Sequence, residues 1–509
     1  MFSPEPLCFR KIGVLVSDYL EKINLKKNTS TFDAVKNTVK AAAAASGFIP
    51  EGSYTSAKGN IPEVTIGTIE QKNINYEGPL RNPIIVIHGF LGANLRDCVT
   101  GKNVWGEFNA QDVIKLSKER MHSLAIPMQQ DALLNDLSDS ILPNGMLDTV
   151  KVKFYKYTYE QKAYINLINV LQEGGYHSSN NPAVIQGKRL TTLFSFAYDW
   201  RRDLQWNATK LHEFIQIKKS YLQESYERLY GVKNYDVKFD IMGHSMGGLL
   251  ARYYLRFGTD DLPELDEEVK VSWKGAENLH NVFLLGTPNA GYTDTLLELT
   301  RGIEIPPAPP ALIGTWPAFY QMMPNPIYNS VIYGHRPGTP VNLFDLNVWI
   351  KMEWGLADPN QADIIKEILP DIKSASLRRD TAIEHLGKCL KRAERFIRVM
   401  SIKAQPPPYI NLFLVLGNAV RTTDKLILNE ENGSLKVFSY APGDGKVTKA
   451  SALFDERTEN TWTPHFRSPI AWDNITLLRA AHMGITTDPS FKDNVLFMLT
   501  NQPIKRKLL

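Results

Sequence analysis

The stretch YDVKFDIMGHSMGGLLARYYL, Tyr235–Leu255, decides how this chain is read. Its centre, Gly243-His244-Ser245-Met246-Gly247, fits the pattern G-x-S-x-G. In that pattern a strand turns sharply into a helix and a serine sits on the strained turn with its hydroxyl exposed. Small flanking residues let the backbone make the turn. The new helix N-terminus presents positive dipole where a tetrahedral oxyanion would form. The apolar Val237–Met242 predicts a strand before the serine. Met246–Phe257 predicts a helix directly after it, with Gly248 allowing close packing. The alternative, a structural serine in a tight turn, leaves this strand–turn–helix frame unexplained. Ser245 is therefore expected to be a nucleophile.

Working outward, short β-branched runs alternate with helical segments from Leu80 onward, the βαβ rhythm of a parallel sheet. The expected strands are Ile84–Ile87, Leu193–Phe196, Val237–Met242, Val282–Leu285 and Leu412–Leu416. They barely alternate, as suits strands covered on both faces. Tyr164–Gln172 is a further expected helix. The fold class expected is α/β, an α/β-hydrolase with a mostly parallel sheet, helices on both faces and cap or lid insertions. Residues 1–80 read as an N-terminal extension with one helix, Phe32–Ser46. Residues 81–299 read as the first part of the core, with a lid insertion at about 97–158. Residues 300–408, bracketed by Pro306–Pro310 and Pro406–Pro408, read as a cap insertion, and 409–509 as the remainder of the core.

Acyl transfer needs two backbone N–H donors aimed at the developing negative charge. Met246, directly after the serine, supplies one. The glycine turn His88-Gly89-Phe90-Leu91-Gly92 after the first strand supplies the other, from Phe90. His88 lies upstream of the serine in that turn and is read as structural. In this fold the acid and then the base follow the nucleophile. Of the histidines after Ser245, His482 fits best, in a loop between an extended segment and a closing helix; His465 lacks such a frame. Asp444, in a Gly-Asp-Gly turn 482 − 444 = 38 residues before His482, is the expected acid. Asp199 and Asp240 precede the serine and are read as structural.

The ordered motifs resemble those of the lecithin:cholesterol acyltransferase-like lipases, which include lysosomal phospholipase and phospholipid:diacylglycerol acyltransferases. They are the glycine turn in IVIHGFLGANL, a lid tryptophan at Trp105, Leu171 to Tyr176, and Tyr198-Asp199-Trp200-Arg201. GHSMGG, LLGTPNAG (Leu284–Gly291), Trp316–Pro324, the turn at Asp444 and the terminal His482-Met483-Gly484 complete them. The set spans roughly Pro83 to the C-terminus. It implies a triad of Ser245, Asp444 and His482, with Phe90 and Met246 as oxyanion donors. It also implies a lipid ester as substrate, by hydrolysis or by transfer to a lipid alcohol. Three positions depart from the family pattern: His88 stands where proline is more frequent, Lys446 where threonine is usual, and Cys98 has no second lid cysteine nearby.

Composition sets the bounds. A formal charge of +4 over 509 residues carries no nucleic-acid footprint. The basic run Lys505-Arg506-Lys507 is read as a solvated tail. Three scattered cysteines, Cys8, Cys98 and Cys389, exclude a fully paired disulfide framework. There is no basic-then-apolar leader and no long uncharged apolar run, so a cytoplasmic protein is expected. No cofactor and no metal is expected, because no His/Asp/Glu cluster has ligand spacing. Peripheral membrane contact has one candidate, Thr381–Met400. This helical pattern carries Ile383, Leu386, Leu390 and Phe396 on one stripe and Lys388, Lys391, Arg392, Arg395 and Arg398 on the other faces. It reads either as a cap helix packed on the sheet or as a helix lying on an anionic lipid surface. A catalytically dead, lipid-binding relative would require a missing triad member, and all three are present.

Overall fold

Six short apolar runs lie side by side, all parallel, in a computed structural model. It describes residues 78–109, 116–154, 157–162, 164–185, 187–304, 307–336, 338–458 and 463–500. The strands are β1 Ile84–Ile87, β2 Leu193–Phe196, β3 Phe239–His244, β4 Leu279–Leu285, β5 Asn411–Gly417 and β6 Asn474–Leu478, in the order β2-β1-β3-β4-β5-β6. Every residue of β1 and β3 is buried, so these strands face apolar layers on both sides. Alternate residues divide between the layers. Ile85, Ile87, Ile241, Leu284 and Leu414 point to the core shared with helices α2 Leu204–Tyr230 and α3 Met246–Phe257. Ile84, Val86, Met242, Phe283 and Phe413 point to the core shared with α1 Ile165–Glu173 and α5 Pro489–Thr500. This is the architecture of an α/β-hydrolase.

Strands β1 and β2 occupy the expected residues. Strand β3 runs two residues beyond the expected Val237–Met242. Val237 is instead held in a bend by its N–H to Tyr235 O (3.0 Å), and pairing continues to His244 beside Leu285. A long helix and a hairpin are among the elements outside the expected set. Helix α2 starts where the Asp203 carboxylate accepts the N–H groups of Gln205 and Trp206, and it stops at Gly231 with φ 71°. Between β5 and β6 lies an antiparallel hairpin, Val420–Leu428 with Leu435–Gly443, whose end delivers Asp444. The expected helix Phe32–Ser46 and the basic run at 505–507 lie outside the described residues.

The basic helix runs over Ala375–Met400 (α4), and the core takes its apolar stripe: Leu386, Leu390 and Phe396 are buried. Its cations are also engaged. Arg392 bridges Asp203 (2.8 Å) and Asp261 (2.5 Å), Lys391 and Arg395 meet Glu264, and Lys388 meets Glu384 (2.6 Å). Arg398 donates to the carbonyls of Leu265 and Glu267. The packed-helix reading describes this arrangement, since the basic face is turned to an acidic strap rather than left open. Among the described residues no helix is long and apolar enough to cross a membrane.

Candidate active site

The sheet order reverses around β1: the chain goes from β1 to β2 on one side, then to β3 on the other. Open α/β sheets bind ligands at such a switch point, beyond the carboxyl ends of the strands. The turn after β1 (residues 88–92) and Ser245 after β3 flank that crevice. Ser245 has φ 54° and ψ −125°, a conformation L-residues rarely adopt. It persists because the neighbours leave no other path. The Ser245 N–H is held by Leu285 O at 2.8 Å, and a Cβ on Gly247 would run into the backbone of Ile87 and His88.

His482 and Asp444 converge on this serine. The Ser245 hydroxyl donates to His482 Nε2 at 2.9 Å, and His482 Nδ1 donates to Asp444 Oδ2 at 2.7 Å. The tautomer follows from the partners. Only a proton on Nδ1 satisfies the carboxylate, which leaves the Nε2 lone pair facing the hydroxyl. Asp444 is 1% exposed. Its other oxygen accepts the N–H groups of Lys446 (3.0 Å) and Val447 (2.7 Å), and its carbonyl accepts the N–H of His482 (2.8 Å). Gly286, at φ 55°, closes the back. A Cβ there would stand 3.2 Å from both Asp444 Oδ2 and His482 Nδ1.

Two backbone donors in these turns are left free among the described residues. Neither Met246 N–H, at the start of α3, nor Phe90 N–H has an acceptor among the described residues. The Phe90 ring packs against Phe319 (4.9 Å between centroids), Trp200 (5.3 Å) and Trp316 (5.9 Å). Trp105, expected on a lid, is buried and donates its indole N–H to Leu91 O at 3.0 Å, bracing the same turn.

The alternatives are placed elsewhere. Asp199 is bound by Arg201 (2.9 and 2.7 Å) and Arg202 (3.2 Å). Asp240 lies near the start of β3 and accepts from Asn82 (2.9 Å) and Asn281 N–H (3.1 Å). His465 is exposed on a loop. His88 is buried: its Nδ1 donates to Gly89 O at 2.7 Å, and its Nε2 accepts Tyr198 N–H at 3.1 Å. Lys446 turns to Glu298 at 2.8 Å. Two residues at the site were missed in the sequence, Tyr164 and His244. Tyr164 Oη lies 2.6 Å from Gly89 N and 3.0 Å from His244 Nδ1, and His244 Nε2 lies 3.3 Å from His482 O. His244 was visible as the variable position of G-x-S-x-G, but nothing local links Tyr164 to it. Among the described residues no cluster of His, Cys, Asp or Glu is arranged to hold a metal ion.

Burial pushes three histidines down, His88 to about 4, His244 to about 3 and His385 to about 4. In the unfolded chain each would titrate near the ordinary 6.5. Below that pH the unfolded state binds more protons, so stability is full above about 6.5 and falls with acidification towards about 4. Each histidine contributes a slope of up to roughly 1.4 kcal/mol per pH unit. Melting temperatures measured between pH 8 and 4 are therefore expected to hold level and then drop steeply below about 6. A flat profile down to pH 4 would contradict the neutral burial of these rings.

The lecithin:cholesterol acyltransferase family matches residues 144–305, a span that includes Ser245 and Met246 and stops short of Asp444 and His482. No curated protein matches significantly. Among solved structures, the crystal structure of the Tle4-Tli4 complex is similar at 13% identity over 83% of this chain and 99% of that one, with a TM-score of 0.49. Bacillus licheniformis lipase BlEst2 in mature form is similar at 11% identity over 84% and 94%, TM-score 0.30. Staphylococcus hyicus lipase is similar at 15% identity over 84% and 95%, TM-score 0.30.

Proposed function

We propose that this α/β-hydrolase, matched over residues 144–305 by the lecithin:cholesterol acyltransferase family, is a serine esterase acting on lipid carboxylic esters through an acyl-enzyme on Ser245. The observation that carries the reading is the hydrogen-bond chain from Ser245 Oγ to His482 to Asp444, at 2.9 and 2.7 Å. His482 takes the hydroxyl proton as Oγ attacks the ester carbonyl. Asp444 stabilises the imidazolium that forms and keeps Nε2 directed at the serine. The carbonyl oxygen, now negative, is received by the N–H groups of Phe90 and Met246 and by the N-terminus of α3. His482 then returns the proton to the leaving alcohol, which departs and leaves the acyl group on Ser245.

Water attacking the acyl-enzyme completes hydrolysis; a lipid alcohol in its place completes transfer. The family match favours keeping transfer as a second outcome of the same intermediate. A fluorophosphonate probe is expected to label the wild-type chain on Ser245, located by peptide mass spectrometry. A panel running from short p-nitrophenyl esters to phospholipid should then show turnover, and products should be compared with and without a long-chain alcohol. Failure of the probe to modify Ser245 would sink the reading. An alcohol-dependent ester product would move the activity from hydrolase to acyltransferase.

A further inference from the structure

Tyr164 opens α1, on the opposite side of the sheet from α3, yet its hydroxyl reaches the carboxyl end of β1 and β3. The donors and acceptors around it allow a single assignment. Gly89 N–H donates to Tyr164 Oη at 2.6 Å. His244 Nε2 faces the carbonyl oxygen of His482 at 3.3 Å and so carries a proton, which leaves His244 Nδ1 as the acceptor for the tyrosine proton at 3.0 Å. Every donor has an acceptor, and the chain links three pieces of backbone: the turn after β1, the residue before Ser245 and the loop of His482.

We propose that Tyr164, acting through His244, is a positioning residue that aims the Phe90 N–H at the developing oxyanion and keeps the His482 loop in register with it; this rests on the esterase reading above. The peptide geometry explains how. The Gly89 carbonyl accepts His88 Nδ1–H (2.7 Å) and Gly92 N–H (3.1 Å). Phe90 N–H belongs to the same planar trans peptide and points away from that carbonyl. Tyr164 fixes the other end of Gly89, its N–H, so the glycine is held on both sides and cannot rotate the Phe90 N–H away. A glycine needs such clamps because it has no side chain to restrict φ and ψ. Burial keeps His244 neutral, with its pKa pushed down to about 3, so Nδ1 remains an acceptor across the working pH range. The ring of Tyr164 also fills core against Leu167 and Leu171. A purely packing role therefore has to be separated from a positioning one.

The test uses the full chain and four variants. Tyr164→Phe keeps the ring and removes only the hydroxyl. It is expected to lower kcat by about 10- to 100-fold, below the loss seen when an oxyanion donor is deleted outright, with KM changed less than about threefold. Binding of a trifluoromethyl ketone, which mimics the tetrahedral state, should weaken in parallel with kcat. His244→Phe should give a similar loss, and the double variant should lose no more than the worse single one, because both break one chain. His244→Gln, whose amide can accept from Tyr164 and donate to the His482 carbonyl, should recover most of the rate lost in His244→Phe. Thermal melts of each variant identify any that fail to fold. If Tyr164→Phe is among them, the kcat difference between His244→Gln and His244→Phe carries the test. Losses that multiply in the double variant, or an unchanged kcat in folded Tyr164→Phe, would overturn the positioning role while leaving the esterase reading intact. Absence of fluorophosphonate labelling on wild-type Ser245 would instead overturn the esterase reading, and this inference with it.

Discussion

Ser245→Ala is expected to fold and melt like the wild type and to lose about 10³-fold or more in ester turnover. The loss is large because the oxygen removed is the one that forms the covalent bond. What remains is the rate that the oxyanion donors and substrate binding give to an attacking water. The fold should survive because the hydroxyl is half-buried and, among the described residues, its one hydrogen bond is to His482. The backbone at this position adds a second, independent expectation. With φ at 54°, both serine and alanine carry strain of roughly 1–3 kcal/mol, which glycine does not. Ser245→Gly should therefore be as inactive as Ser245→Ala and as stable or more so, an order opposite to that in a helix interior. Turnover with a p-nitrophenyl ester and thermal melts measure both. An alanine variant keeping a tenth of wild-type turnover would remove Ser245 from the role of nucleophile.

Much of the frame was legible because local signals and the long-range structure agree. The strand before Ser245 is apolar on both faces, the helix after it starts at once, and the glycines stand where backbones meet. Strand β3 was placed two residues early because Val237 is as apolar as the strand. Pairing starts only at Phe239, beside Leu279, and the Val237 N–H goes to Tyr235 O. Helix α2 had start and stop signals in Asp203 and Gly231 and a stripe at Leu204, Ala208, Leu211, Ile215, Leu222, Tyr226 and Leu229, which Lys218 and Lys219 break in the middle. Contacts between distant segments had no local mark. Tyr164 and His244 are 80 positions apart, and Arg395 meets Glu264 from 131 positions away. The basic residues of α4 were visible as charge; that they meet Asp261 and Glu264 is set by the tertiary fold.

Asp444→Asn is expected to cost about 10³- to 10⁴-fold in turnover with little loss of stability. The asparagine oxygen can still accept the N–H groups of Lys446 and Val447, so the turn keeps its shape. The nitrogen then faces His482 Nδ1 where a carboxylate oxygen stood at 2.7 Å. Two N–H groups cannot point at each other, so His482 must move its proton to Nε2 and accept from the amide on Nδ1. A protonated Nε2 has no lone pair for the Ser245 proton, and the imidazolium loses its stabilising charge. Asp240→Asn is the matched control. Asp240 is equally buried, but it lies near the other end of β3, five residues and roughly 16 Å of extended chain before Ser245. It serves Asn82 and Asn281 N–H, and an amide oxygen can continue to accept from both. That variant should lose on the order of 1 kcal/mol of stability and keep turnover within about threefold. Turnover per folded molecule, with melting curves for both proteins, separates the two outcomes. An inactive but well-folded Asp240→Asn beside an active Asp444→Asn would reverse the assignment of the acid.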